Sequence, residues 1–147
     1  MTVPVPPVTA IALFFDDIRK EVGNKLTCVG QYVVDLGLPA GIAVDRLAIL
    51  LHLRWPLDYK PESLSVRVDL PTQGDGPYQP LPISHALPVV ADPHSPFSQT
   101  VLQGVLLLRL PPLRGGDVIA VWVRVDEHDL PAGQLLVRTG EARGTPN

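Results

Sequence analysis

The chain holds a single cysteine among 147 residues, Cys28, which excludes an intrachain disulfide. One thiol without a framework points to a reducing compartment. Aromatic residues make up only 5% of the sequence and charged residues 18%. The core is therefore expected to be aliphatic. The formal net charge of −3 and the sequence pI of about 5.7 supply no general attraction for nucleic acid or for an anionic membrane. No apolar run approaches the roughly 18 residues that a spanning helix needs. The opening stretch, Met1-Thr2-Val3-Pro4-Val5-Pro6-Pro7, has no basic residue before its apolar part and makes a poor signal peptide. These absences lead to the expectation of a cytoplasmic protein with no nucleic-acid and no membrane partner.

Proline and glycine are plentiful, at 17 and 12 residues. An interior proline removes a backbone donor and clashes with the preceding helical turn, so a chain punctuated this often favours short strands over long helices. The first run is Thr9–Phe15, and residues 16–22 after it admit two readings. As a helix, Asp16 would cap it and Gly23 would end it. As a strand, Gly23-Asn24 becomes a two-residue hairpin turn that places Ile18 opposite Val29. The strand-like flanks favour the hairpin.

Residues 36–44, with Gly37, Pro39 and Gly41, read as a connection. Arg46–Trp55 forms the next strand, with Leu47, Ile49, Leu51, Leu53 and Trp55 inward and Ala48, Leu50, His52 and Arg54 opposite. Ser63–Leu70 alternates most cleanly: Leu64, Val66, Val68 and Leu70 in, Ser65, Arg67 and Asp69 out. Residues 71–80 read as a loop. Leu81–Val90 is strand-like but carries Pro82 and Pro88, which assigns it to a sheet edge blunted against strand addition. Thr100–Leu110 is apolar throughout and reads as a central strand. Val118–Val125 follows the Gly115-Gly116 turn, residues 126–132 read as a hairpin loop, and Gly133–Arg138 is the last strand. The predicted organisation is a proline-rich lead-in (1–8), one β domain (9–138) and a frayed tail (139–147). The fold class is all-β, a single two-layer antiparallel sandwich of about eight strands.

The run Leu13-Phe14-Phe15-Asp16-Asp17-Ile18-Arg19, followed by Gly23-Asn24-Lys25-Leu26-Thr27-Cys28-Val29-Gly30, resembles the opening of an uncharacterised bacterial family of small β proteins. Leu47–Leu53 is similar to that family's third strand, and Gly116–Asp126 with Leu135-Leu136-Val137 to its closing hairpin. The chain departs from the pattern at Phe15, where the family often has cysteine, and at Val118 or Ile119, where it often has an aromatic. The resemblance implies an immunoglobulin-like or similar sandwich and supports the hairpin. It carries over no catalytic residue.

Motifs for chemistry are sparse. Asp126-Glu127-His128-Asp129 is the densest polar cluster, but adjacent residues on an extended chain point apart, whereas a metal needs convergent ligands. Turn chemistry explains it better. His85, Asp92 and His94 are a second set without metal-ligand spacing. Cys28, between apolar neighbours, reads as a buried small hydrophobe. No nucleophile elbow, P-loop or dinucleotide fingerprint occurs, so no enzymatic activity and no cofactor are expected. Binding has better material: Arg54, Trp55, Tyr59 and Tyr78 lie in or beside loops that follow strands, and these residue types recur at binding hot spots. They form the candidate interaction surface, either for protein or as an aromatic platform for a small ligand or carbohydrate. Leu50, Leu107, Ala120 and Trp122 fall on outer faces that ought to be polar. Such positions need cover, which favours a protein partner or a second copy of the chain.

Overall fold

The computed structural model describes residues 4–23, 25–38, 43–71, 81–86 and 99–139. Among these residues nine strands form two layers: β1 (Thr9–Lys20), β2 (Leu26–Tyr32), β3 (Asp35–Leu38), β4 (Arg46–Pro56), β5 (Leu64–Leu70), β6 (Leu81–Ala86), β7 (Gln99–Arg109), β8 (Val118–Val125) and β9 (His128–Thr139). One sheet runs β2-β1-β4-β7 and the other β3-β9-β8-β5-β6. The expected all-β sandwich is the observed fold.

Alternation builds the core. Leu47, Ile49, Leu51, Leu53 and Trp55 of β4 face Leu64, Val66, Val68 and Leu70 of β5 and Ile119, Val121, Val123 and Val125 of β8, all in one buried cluster. Their partners on the outer sides, such as Ser65, Arg67 and Asp69, stay partly exposed. Leu36, Leu135 and Val137 extend the same cluster at the far edge. Gly133 lets β1 and β9 approach across the sandwich: a Cβ there would sit 3.1 Å from the Ala12 carbonyl oxygen and 3.4 Å from Cε2 of Phe14. The ladder between β8 and β9 shifts beside it, because Val121 pairs with Gly133 but Trp122 pairs with Pro131. The extra residue, Ala132, is a bulge, and it falls beside Pro131, which has no amide to donate to the ladder.

Several expectations are corrected. Residues 36–44 are not all connection: β3 pairs with β9, and in parallel, so that sheet is mixed. Residues 128–132 are strand, since the β8–β9 turn needs only Asp126, at φ 53°, and Glu127. In the β1–β2 hairpin Ile18 lies opposite Cys28 rather than Val29. Glu21 donates to the Lys25 carbonyl at 2.8 Å, so the turn is one residue longer than a two-residue loop and the register slips by one. Cys28 is exposed, because β2 is an edge strand and the hairpin extends past the core. Thr100–Leu110 is not central: β7 ends the four-stranded sheet. Its apolar character comes from an inner side packed in the core and an outer side that is packed at Val105 but open at Val101 and Leu107, and not from strands on both sides. The edge position expected for Leu81–Val90 holds for β6. Residues 87–90 of that stretch, the 72–80 part of the predicted loop, and the 140–147 part of the tail lie outside the described residues. Among the described residues no helix is long and apolar enough to cross a membrane.

Candidate functional site

The two outer faces differ. On the five-stranded sheet, Arg67 lies 5.4 Å from the centroid of the Trp122 ring. The same guanidinium donates to Asp69 at 3.1 Å and to Asp129 at 3.2 Å, and Arg124 adds a contact to Asp129 at 3.7 Å. Trp122 thus covers the outer face as expected, beneath a network of charge that solvates well.

The four-stranded sheet has no such network. Its register places Thr9, Arg54 and Val101 in one cross-strand row, then Ile11, His52 and Gln103, then Leu13, Leu50 and Val105, then Phe15, Ala48 and Leu107. One cation and no carboxylate occupy these four rows, and the next row pairs Arg46 with Arg109. Part of the face is roofed. Phe15, Ile18 and Ala48 are buried there at 6%, 6% and 1% exposure, with Leu13, Leu26, Leu50 and Val105 packed around them. The roof is the far end of the β1–β2 hairpin, whose Lys20, Glu21, Lys25 and Leu26 border a groove of about 280 Å³ against Gln103 and Val105 of β7. The hairpin swings over the face where its ladder is interrupted opposite Asp16. Gly30 there has φ 65°, and any Cβ on it would overlap the Asp16 carboxylate. Tyr32 donates its hydroxyl to Asp16, and burial together with that bond pushes the Tyr32 phenol up to about 12. Asp17 accepts from Arg19 Nε at 2.7 Å, and the guanidinium holds the Asp17 carboxyl below its ordinary range.

The rest of the face is open. Ile11 and Val101 are 46% and 47% exposed, and Leu107 is 68% exposed. His52 sits among them. Its Nε2 accepts from Arg54 Nε at 2.9 Å, and its Nδ1 lies 3.2 Å from the Gln103 amide. Burial, then the Arg54 charge, push the His52 imidazole below its ordinary value, so the ring is neutral at pH 7. The unfolded chain therefore holds this proton more tightly than the folded one. The His52 contribution to stability is complete above the ordinary histidine value of about 6.5 and is lost as the pH falls below it. Urea midpoints measured between pH 7.5 and 5 are expected to fall on acidification. His52→Gln should flatten that fall, and an unchanged slope in the variant would contradict the assignment.

The residues singled out in the sequence do not meet on one surface. Arg54 and Trp55 are neighbours on a strand and so face opposite ways: Arg54 is exposed beside His52, whereas Trp55 is buried at 2% exposure in the main core. Trp55 is therefore corrected from surface to core, and it cannot form part of an aromatic platform. Tyr59 is half-buried and donates to Asp126 Oδ2 at 3.0 Å. Tyr78 lies outside the described residues. Asp126 closes the end of the sandwich: its Oδ1 accepts from the backbone amides of Glu62 at 2.8 Å and Ser63 at 2.9 Å. The Ser63 amide leads in holding its carboxyl below the ordinary range, followed by the Tyr59 hydroxyl and then the Glu62 amide. This is turn chemistry, as expected for the 126–129 cluster. Pro4–Pro7 lie along the same end, beside Tyr59 and His128, with Pro6 buried. His85 belongs to β6, whereas Asp92 and His94 lie outside the described residues. Among the described residues no three His, Cys, Asp or Glu side chains converge as a metal site.

What sequence reasoning missed was Ile11 and Val101. Their signal was the doubly apolar pattern already noted at Leu50 and Leu107, but only the register shows that Ile11, Val101 and Leu107 share one face. No protein-family model matches this chain, and no curated protein sequence matches it.

Proposed function

We propose that this chain is a non-enzymatic protein-interaction module that associates with a second copy of itself through the outer face of its four-stranded sheet. The observation that carries the reading is the exposure of Ile11, Val101 and Leu107 on one face, whose cations stand at its two ends, Arg54 in the row of Val101 and Arg46 with Arg109 in the row beyond Leu107. An open apolar surface of this kind on a sheet costs solvation that a partner removes. A second copy is favoured because Val101 and Leu107, three residues either side of Gly104 on one strand, come opposite each other when two copies are related by a two-fold axis.

The test is light scattering on the purified chain over a concentration series, because three exposed side chains per copy support a modest affinity once the cost of association is subtracted. The expected mass at high concentration is twice the 15.9 kDa of one chain. Replacing Leu107 and Ile11 with lysine should return it to one chain while the circular dichroism stays that of the parent. A single-chain mass for the parent at every concentration would overturn the reading.

A further inference from the structure

Resting on the self-association in that reading, we infer that the second copy meets the Val101 and Leu107 part of this face side by side, along the β7 edge that is unpaired among the described residues, in one register centred on Gly104. Among the described residues four strands end the two sheets: β2 and β7 in one, β3 and β6 in the other. Three of them are poor templates. β3 is 4 residues long, β6 carries Pro82, and β2 is interrupted at Gly30 with φ 65°. β7 is 11 residues long, contains no proline and no acidic residue, and among the described residues pairs only with β4. A long apolar edge with unpaired amides and carbonyls is the surface that sheets otherwise protect with proline, charge or cover.

The register follows from the side chains. Two copies of one strand paired antiparallel are related by a two-fold axis, so residue i meets residue j and j meets i. Val101 and Leu107 lie on the same face, three residues either side of Gly104. Pairing about Gly104 sets Val101 of one copy against Leu107 of the second, twice, so both exposed side chains gain an apolar neighbour. Gln103 then meets Val105, and on the inner side Leu102 meets Leu106. A shift of one residue would oppose outer positions to inner ones, and a shift of two would place Leu107 against Gln99 or Gln103. Only the Gly104 register joins Leu107 to Val101. The product is a continuous sheet with four strands from each copy.

Disulfide trapping in a Cys28→Ser background tests it. Val101→Cys and Leu107→Cys are made as separate proteins, oxidised alone and as an equimolar mixture, and weighed by light scattering and non-reducing gel. The seam predicts cross-linked dimer in the mixture, in roughly tenfold excess over either protein alone, because a disulfide tolerates little error in separation. Within either protein alone the like positions are six residues apart, about 20 Å along the strands. Dimers by mass with no cross-link, or with equal cross-linking in the single proteins, overturn the seam and leave association through the face standing. A single-chain mass throughout overturns both.

Discussion

Trp55→Ala is expected to lower the unfolding free energy by about 3–5 kcal/mol, the cost of emptying a large aromatic from a packed core. Trp55 ends the run Leu47, Ile49, Leu51, Leu53 on the inner side of β4 and is 2% exposed. It belongs to the cluster that holds the two sheets together, and no smaller residue there would fill the space between them. For a domain of this size, with a total stability of about 5–15 kcal/mol, such a loss is a large share. The neighbouring Arg54→Ala is the control. Arg54 is exposed, its hydrogen bond to His52 is at the surface, and its removal should change stability by no more than about 0.5 kcal/mol. Guanidinium denaturation of both variants separates the roles. Similar small effects for the two would return Trp55 to the surface, where its residue type alone had suggested a binding role.

That contrast shows what kind of information the chain carries openly. Alternation was legible in β5, where each position declares its side, and in the inner row of β4, although Ala48 on its outer side is buried as well. Trp55 was legible in the same way, and its parity on β4 was a better guide than its reputation as an interface residue. The edge position of β6 was legible through Pro82, which has no amide to donate. The edge position of β7 was not, because apolar residues on both faces look the same whether the second face lies under another strand, under a hairpin or in water. The hairpin register was hidden by a turn one residue longer than the Gly23-Asn24 pair suggests, and β3 by its length of 4 residues. Cys28 was misplaced for a related reason. Apolar neighbours along an extended chain say little about burial when the strand is a sheet edge. Of the candidate surface, the apolar outer positions were visible one at a time, and their gathering into rows required the pairing of β1, β4 and β7.

The outer face of the four-stranded sheet is thus divided between cover supplied by the chain itself and apolar surface left open, and Phe15→Ala tests where the division lies. Phe15 is 6% exposed although it points away from the main core, because the β1–β2 hairpin brings Ile18 and Leu26 over it. If the hairpin is part of the folded unit, removing the ring should cost about 3 kcal/mol, close to a core phenylalanine. Leu107→Ala, on the same row but 68% exposed, should cost no more than about 0.5 kcal/mol. Amide hydrogen exchange gives the second readout. Residues 17–29 should lose protection in Phe15→Ala while β5 and β8 keep theirs, because the hairpin is held over the face by this small cluster and by few other contacts. Loosening the roof also uncovers Ala48 and Leu50, so the variant should associate more strongly at a given concentration, in the opposite sense to the lysine substitutions at Ile11 and Leu107. A phenylalanine whose loss left both the unfolding midpoint and the exchange pattern unchanged would mean that the hairpin does not cover the face in solution. The open apolar surface would then be larger than the three residues assigned to it, and the hairpin itself would become a contender for the partner's contact.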